Sequence, residues 1–194
     1  MRLLIATSNR DKVREITPLL EAAPVDLVTL DALPPIAAPE ETGTTFEENA
    51  RAKALYYSAA AGMIAVAEDS GLEIDALGGV PGVESARFGG VEMSYPDRFT
   101  LLYDALRAKN ANGSSARFVC ALALVDRGRI LFETRGTVEG HIAPAPQGTG
   151  GFGYDPIFFY PPFNCTLAEA GDRKSSVSHR GKAFRSLAEF LKRR

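Results

Sequence analysis

Three short polar segments carry the residue types that could do chemistry in this chain. Gly148–Asp155 combines four glycines with the rings of Phe152 and Tyr154. Ser178–Gly181 places a histidine beside an arginine, and Thr7–Lys12 holds hydroxyls, an amide and cations. Glycine backbone can approach phosphate oxygens closely, and an aromatic face can stack on a base. Together the segments predict a nucleotide site.

Two acidic pairs could supply ligands for the hard divalent cation that such a site would need. Glu40 and Glu41 lie in a proline-rich loop, whereas Glu68 and Asp69 follow a short apolar run. Magnesium is usually bound by one or two carboxylates together with phosphate oxygens of the substrate. We therefore expect Asp69 near the nucleotide, with Mg²⁺ as the cofactor.

A different reading of the glycines is the dinucleotide fingerprint. Gly148-x-Gly150-x-x-Gly153 matches it literally, and Asp172 lies near the expected acidic position. That fingerprint requires a strand before it and a helix after it. Pro156 and Pro161 follow instead and prevent a long helix, so we reject this interpretation.

Apolar runs and helical periodicities predict an α/β fold with a mixed sheet. Strands are expected at Leu3–Ala6, Val25–Leu30, Ile64–Ala67, Ala116–Val125 and Ile130–Val138, the last two joined by a hairpin turn at Asp126–Gly128. Helices are expected over Lys12–Ala22, Phe46–Ala61 and Pro96–Lys109, and at the C-terminus with Phe184, Leu187, Ala188 and Leu191 on the apolar face. The loop Thr7–Asp11 then lies where a strand ends and a helix begins, which is where ligands bind in open α/β sheets.

The composition is that of an ordinary globular protein. The 194 residues fit one domain, or one domain with a lobe, and 45% are hydrophobic and 24% charged. A net charge of -2 gives no attraction toward nucleic acid or membrane. No run approaches the roughly 18 to 20 apolar residues of a membrane span, so a cytoplasmic protein is the default expectation. Cys120 and Cys165 make no disulfide framework, and Cys120 should be buried.

Taken in order along the chain, these segments resemble the inosine triphosphate pyrophosphatase family, the XTP/dITP diphosphatases. The resemblance covers nearly the whole length: Ala6–Asn9 with Lys12, Glu40–Gly43, Glu48–Ala50 with Lys53, Glu68–Leu72, Gly78–Gly82, Ser85–Arg87, Gly148–Phe158 and Ser178–Ala183. Three places depart from the family pattern. Glu68 stands where many bacterial members have Asp, Leu167–Arg173 lacks a frequent acidic pair, and Asp97–Phe99 lacks a frequent asparagine.

The resemblance implies a two-lobed α/β fold, a central mixed sheet flanked by helices, and an active-site cleft between the lobes, within a single domain over residues 1–194 that usually forms a homodimer. It implies magnesium-dependent conversion of ITP, dITP and XTP to the monophosphate and pyrophosphate. Asp69 would be the general base and a metal ligand, and Glu40 the other metal ligand. Thr7, Ser8, Asn9, Arg10, Asp11, Lys12 and Lys53 would hold the triphosphate, and Ser70, Phe152, Gly153, Tyr154, Asp155, Lys174, His179 and Arg180 would line the nucleoside pocket.

Two alternatives stay open at this point. One is a nucleotide pyrophosphatase of related fold that acts on modified pyrimidines. The other is a nucleotide-sensing module that binds without turnover, although such a module has no need of a water-activating carboxylate like Asp69.

Overall fold

Seven strands and five helices make up the α/β architecture of residues 1–193, the part of the chain that the computed structural model describes. The strands are β1 (Arg2–Ile5), β2 (Asp26–Thr29), β3 (Ala65–Ile74), β4 (Ser115–Asp126), β5 (Arg129–Ile142), β6 (Phe158–Tyr160) and β7 (Cys165–Thr166). The helices are α1 (Arg10–Leu20), α2 (Phe46–Ala61), α3 (Tyr95–Ala108), α4 (Lys174–Val177) and α5 (His179–Lys192). The strand order is β2-β1-β3-β4-β5-β6-β7. Strand β1 is parallel to β2 and β3, whereas β6 is antiparallel to β5 and β7, which confirms the mixed sheet.

The chain divides into two compact units. Unit 1 comprises residues 1–70, 120–136 and the described residues from His179 onward, and unit 2 comprises Gly71–Val119 and Thr137–Ser178. Each unit has its own apolar core. Unit 1 has two clusters, one containing Val66 of β3 and the other containing its neighbours Ala65 and Ala67. Successive side chains of a strand point to opposite faces, so β3 is buried on both sides.

Strand β3 is longer than the sequence predicts. The apolar run was expected to end the strand at Ala67, but the strand continues to Ile74 and contains Glu68–Gly71. The prediction was wrong because it ended the strand where the apolar run ends. Glu68 and Asp69 are 4% and 5% exposed and are paired with cations, so the strand continues through them.

Helix α1 begins earlier than predicted. Asn9 is the N-cap, and its side-chain oxygen accepts hydrogen bonds from the backbone N–H groups of Asp11 and Lys12. Arg10, Asp11 and Lys12 therefore lie in the first helical turn, although the sequence predicted a loop as far as Asp11. The helix includes Pro18 and ends two residues later, at Leu20.

Helix α2 confirms the predicted bounds at both ends. Thr45 and Glu48 form the capping box, in which each side chain accepts a hydrogen bond from the other residue's backbone N–H. Gly62 ends the helix in the left-handed conformation, with φ 62°, which glycine adopts without a steric penalty.

The other predicted elements, α3 and the β4–β5 hairpin among them, agree with the structure in type and differ in length. Helix α3 matches within one residue at each end, and the turn of the β4–β5 hairpin has positive φ at Arg127 and Gly128. Strand β5 runs four residues beyond its predicted end. Strands β6 and β7 are short and were missed. Among the helices of residues 1–193, none is long and apolar enough to cross a membrane.

Replacing Thr45 with alanine should lower the free energy of unfolding by about 1 kcal/mol, because the hydroxyl satisfies an N–H group that the first helical turn leaves unpaired. Urea denaturation monitored by circular dichroism measures the change. Thr42→Ala is the control, since Thr42 is exposed and lies outside the helix. Equal stabilities of the two variants would contradict the capping role.

Candidate active site

The segment Thr7–Lys12 connects β1 to the first turn of α1 in unit 1. Thr7 Oγ1 accepts a hydrogen bond from Asn9 N at 3.2 Å, which shapes the turn before the helix. Ser8, Asn9 and Arg10 are exposed, whereas Lys12 is half-buried. The Lys12 ammonium lies 3.0 Å from Glu68 Oε1. The first-turn N–H groups and Lys12 give this end of α1 a positive character.

Glu68 is the centre of a buried polar cluster formed with Lys12, Arg180, Ser70, Glu15 and Cys120, which we call the Glu68 cluster. Arg180 donates to Glu68 Oε1 from Nε at 3.2 Å and from Nη2 at 3.1 Å. The same Nη2 donates to Ser70 Oγ at 3.0 Å, and Nη1 donates to Glu15 Oε2 at 2.6 Å. The Cys120 Sγ donor is 3.6 Å from Glu68 Oε2. Arg180 thereby joins α1, β3 and α5.

The charges of the Glu68 cluster fix its protonation states. Burial acts to raise the pKa of Glu68, but Arg180 and Lys12 outweigh it and hold that pKa well below the ordinary value of 4.5. Burial raises the pKa of the Cys120 thiol well above its ordinary value, and the Glu68 charge adds to the effect. Near neutral pH, Glu68 is therefore an anion and Cys120 a neutral thiol.

Asp69 points to the opposite face of β3 and meets residues of α2 and of the loop before it. Lys53 donates to Asp69 Oδ1 at 3.0 Å and to Glu41 Oε1 at 2.7 Å. Asn49 donates to Asp69 Oδ2 at 3.0 Å and accepts from Gly43 N at 2.8 Å. We call Asp69, Lys53, Glu41 and Asn49 the Asp69 cluster.

Two of the charged residues in the Asp69 cluster, Asp69 and Lys53, have shifted pKa values. Burial is the largest influence on Asp69 and raises its pKa, which the Lys53 charge only partly offsets. Burial acts to lower the pKa of Lys53, but Asp69 and Glu41 outweigh it and raise that pKa. Lys53 is therefore a cation near neutral pH, and Asp69 is a stronger base than an exposed aspartate.

The predicted metal ligands are placed differently from one another. Asp69 is buried, whereas Glu40 is exposed in the loop before α2. Glu41, next to Glu40, shares the Lys53 ammonium with Asp69. Across residues 1–193, no three His, Cys, Asp or Glu side chains are grouped so that they could hold a metal ion by themselves.

The glycine segment Gly148–Asp155 lies in unit 2. The buried carboxylate of Asp155 accepts from the Phe152 backbone N–H at 2.8 Å and from Lys174 Nζ at 2.6 Å. The Lys174 ammonium is 5.1 Å from the centre of the Phe152 ring. Tyr154 is buried and donates to the Ser85 carbonyl at 2.8 Å. Within unit 2, the structure brings together Phe152, Asp155 and Lys174.

The predicted site residues are thus distributed over both units. Unit 1 contains the phosphate-loop residues Thr7, Ser8, Asn9, Arg10, Asp11 and Lys12, together with Glu40, Lys53, Asp69, Ser70, His179 and Arg180, and unit 2 contains Phe152, Gly153, Tyr154, Asp155 and Lys174. His179 and Arg180 are the first residues of α5, and Lys174 begins α4. The roles of these residues toward a substrate stay predictions.

The sequence reasoning missed several partners of these residues. Asn49 and Lys53 are four residues apart on α2, so the helical repeat places both on the face that meets Asp69. Glu15 lies three residues after Lys12 on α1 and could have been found from the same periodicity. No local pattern indicates the contact between Cys120 and Glu68, because it joins two strands that are distant in sequence.

Known proteins resemble this chain in sequence and in structure. A sequence profile of the Ham1 family matches residues 3–190. A relative from an Exiguobacterium species, named dITP/XTP pyrophosphatase, is 46% identical over 98% of this chain and 97% of its own length. A relative of the same name from Thermus thermophilus is 44% identical over 99% of this chain and 92% of its own length. The solved structure of a HAM1 protein from Coxiella burnetii superposes with a TM-score of 0.91 and 36% identity, covering 100% of both chains.

The chain belongs to the Ham1 family. The predicted resemblance is therefore confirmed, and so is the predicted α/β class. The shared name of the relatives describes enzymes that hydrolyse nucleoside triphosphates, which confirms the expectation of an enzyme and disfavours a module that only binds.

Glu68→Gln should lower the free energy of unfolding by about 3–5 kcal/mol at neutral pH, because Arg180 and Lys12 lose their buried counter-charge. The folded-state pKa of Glu68 is depressed, so its pairing stabilises the protein above pH 4.5, and this stability is lost as the pH falls further. In urea titrations, the difference between wild type and variant should therefore be largest near neutral pH and shrink in acid.

Glu84→Gln is the matched control for that experiment. It removes the partner of Arg87 in an exposed ion pair and should change the free energy of unfolding by less than about 1 kcal/mol. A Glu68→Gln difference as small as that of Glu84→Gln, or one that does not change with pH, would contradict the proposed electrostatics.

Proposed function

We propose that this chain hydrolyses the non-standard purine triphosphates dITP, XTP and ITP to the monophosphate and pyrophosphate, with Mg²⁺ as cofactor. The observation that carries the proposal is Asp69, a buried carboxylate of raised pKa that lies 3.0 Å from the Lys53 ammonium. It occurs in a Ham1-family chain whose relatives are named dITP/XTP pyrophosphatases.

Asp69 is the proposed general base. It takes a proton from the water that attacks the α-phosphorus, while the bond between the α-phosphorus and the bridging oxygen breaks and pyrophosphate leaves. A raised pKa favours this role, because a base works best when its pKa approaches the working pH.

The proposed triphosphate contacts are the segment Thr7–Lys12 and Lys53. Hydrolysis of a phosphoanhydride depends on alignment of the water and on neutralisation of the leaving oxygens. Lys12 and Lys53 are both held by carboxylates, at 3.0 Å from Glu68 and Asp69. This pairing orders the two ammonium groups before a phosphate arrives, which lowers the entropy lost on binding.

The carboxylates near Lys53 fit a magnesium ion. Asp69 and Glu41 lie on either side of one cation, the Lys53 ammonium, so this position already favours positive charge. Asp69 together with Glu40 or Glu41 would hold the metal, because Mg²⁺ needs only one or two protein carboxylates when phosphate oxygens complete its shell. Bound magnesium would neutralise phosphate charge and polarise the phosphoryl oxygens.

The proposed nucleoside contacts are Ser70, Lys174, His179, Arg180 and the segment Phe152–Asp155. The Phe152 ring supplies a stacking face, and the Lys174 ammonium near it is ordered by Asp155. Arg180 can donate hydrogen bonds and can never accept them, which suits the 6-oxo group of inosine and xanthosine. Selection against the 6-amino group of ATP follows from the same chemistry.

We also propose that the enzyme is a homodimer in the cytoplasm and acts on free nucleotides. Analytical ultracentrifugation at micromolar protein concentration tests the first part. A sedimentation coefficient of a monomer over the whole concentration range would contradict it.

A panel of triphosphates tests the proposed activity. Pyrophosphate release should be measured with Mg²⁺ for dITP, XTP, ITP, ATP and a modified pyrimidine triphosphate. The oxo-purines should exceed ATP in kcat/KM by at least about tenfold, because an unpaired donor in the site penalises the amino group. A preference for the pyrimidine would support the pyrimidine alternative, and binding without pyrophosphate release would support the sensor.

Asp69→Asn should lower kcat for dITP by at least about a hundredfold, since it removes the general base with almost no change of shape. Stopped assays on protein shown to be folded by circular dichroism measure the effect. Asp75→Asn is the control, because Asp75 follows the same strand, is exposed and pairs with Arg117. A folded Asp69→Asn enzyme with turnover close to wild type would remove Asp69 from the mechanism.

A further inference from the structure

Gly136 lies inside β5, where the first turn of α5 packs against the strand. A Cβ atom built on Gly136 would be 2.2 Å from the His179 carbonyl oxygen and 2.9 Å from the Ala183 backbone nitrogen. Both neighbours are backbone atoms of α5, so a change of side-chain rotamer cannot relieve the contact. Any larger residue at position 136 therefore has to move the start of α5 away from β5.

Glycine is needed at position 136 because a side chain would clash with α5, and not because the backbone adopts a conformation that favours glycine. Gly136 is not among the glycines with positive φ, a group that includes Gly128 at the turn before the same strand. Gly136 is buried, which also excludes a solvent-exposed role. Its lack of a side chain serves one purpose, the close approach of strand and helix.

The helix turn that packs on Gly136 carries the largest buried cation of the site. Arg180 is 1% exposed, and its guanidinium bonds to Glu68, Ser70 and Glu15 span 2.6 to 3.2 Å. An ordinary contact to the His179 oxygen begins at 3.4 Å rather than 2.2 Å. Relieving the overlap thus takes a shift of about 1 Å, which is enough to break hydrogen bonds of this length.

We propose that Gly136 is a positioning residue: it sets the location of the first turn of α5 and thereby holds Arg180 on Glu68. Glu68 Oε1 also accepts Lys12, so the position of Arg180 bears on the cation at the start of α1 as well. The consequence for catalysis rests on the proposed function, whereas the consequence for the ion pairs does not.

Gly136→Ala is the test variant, and Gly140→Ala is its matched control. Gly140 lies in the same strand, and a Cβ atom there would be 2.4 Å from the Phe159 carbonyl oxygen. The crowding is similar, but the element that has to move is β6, which carries none of the candidate site residues. A general effect of crowding in β5 would appear equally in both variants.

Kinetics with dITP and ATP form the first measurement. Gly136→Ala should lower kcat/KM for dITP by at least about tenfold and reduce the ratio of dITP to ATP use, because a displacement of about 1 Å misaligns the base contacts. Gly140→Ala should keep the ratio of the wild type even if its stability falls. An unchanged ratio in Gly136→Ala, or an equal change in both variants, would overturn the proposal.

Urea unfolding of variants that lack the Glu68–Arg180 ion pair forms the second measurement, which does not depend on activity. In the double variant Glu68→Gln/Arg180→Met the ion pair is absent, so adding Gly136→Ala should shift the unfolding midpoint by less than half of its shift in wild type. If Gly136→Ala alone does not fold, recovery of folded protein when it is combined with Glu68→Gln/Arg180→Met supports the proposal. Equal shifts of the unfolding midpoint in wild type and in the double variant, or no recovery of folded protein, would overturn it. If the wild-type protein has no pyrophosphatase activity, the proposed function is wrong. The unfolding result for Gly136 and the Glu68–Arg180 ion pair would still hold, because it does not depend on activity.

Discussion

The buried carboxylate of Glu68 is the constraint on which the arrangement of unit 1 depends. An ionised carboxylate that is 4% exposed is stable only if hydrogen bonds and opposite charge replace the water it has lost. Arg180 and Lys12 supply both, and the Cys120 thiol adds a weak donor. These partners come from α5, α1 and β4. The contacts of the Glu68 carboxylate therefore constrain where these three elements pack against β3.

The pleat of β3 gives two adjacent acidic residues different chemistry. Glu68 and Ser70 point toward Arg180, whereas Asp69 between them points toward α2. Glu68 meets two cations and has a strongly lowered pKa. Asp69 meets one shared ammonium and has a raised pKa. Because successive side chains of a strand point to opposite faces, the adjacent residues Glu68 and Asp69 lie in different surroundings, one as a fixed anion and the other as a base.

The elements with strong local signals were predictable from the sequence, and the elements that depend on tertiary pairing were not. The capping box and the terminal glycine predict α2 to the residue, because each signal acts within one turn. The continuation of β3 through Glu68–Gly71 was not predictable, since it depends on cations that lie 56 and 112 positions away from Glu68 in sequence, Lys12 and Arg180. The same limit explains why the residue patterns alone pointed to Asp69 but not to Asn49, whose contact with Asp69 is visible only when α2 faces β3. Lys53 was indicated by the family resemblance.

The Glu68 cluster contributes less to the stability of the fold than its number of ion pairs suggests. Desolvation of two or three charges offsets much of their mutual attraction, and well-packed apolar side chains of similar volume often serve a core equally well or better. The neighbouring residues of the same sheet region, Val66 and Cys120 among them, show that apolar packing is available at this point. What apolar residues cannot do is hold an ammonium and a guanidinium in fixed positions while keeping both charged. The cluster is therefore best understood by what it orders: Lys12 at the start of α1 and Arg180 at the start of α5, two cations whose geometry is set by one buried oxygen.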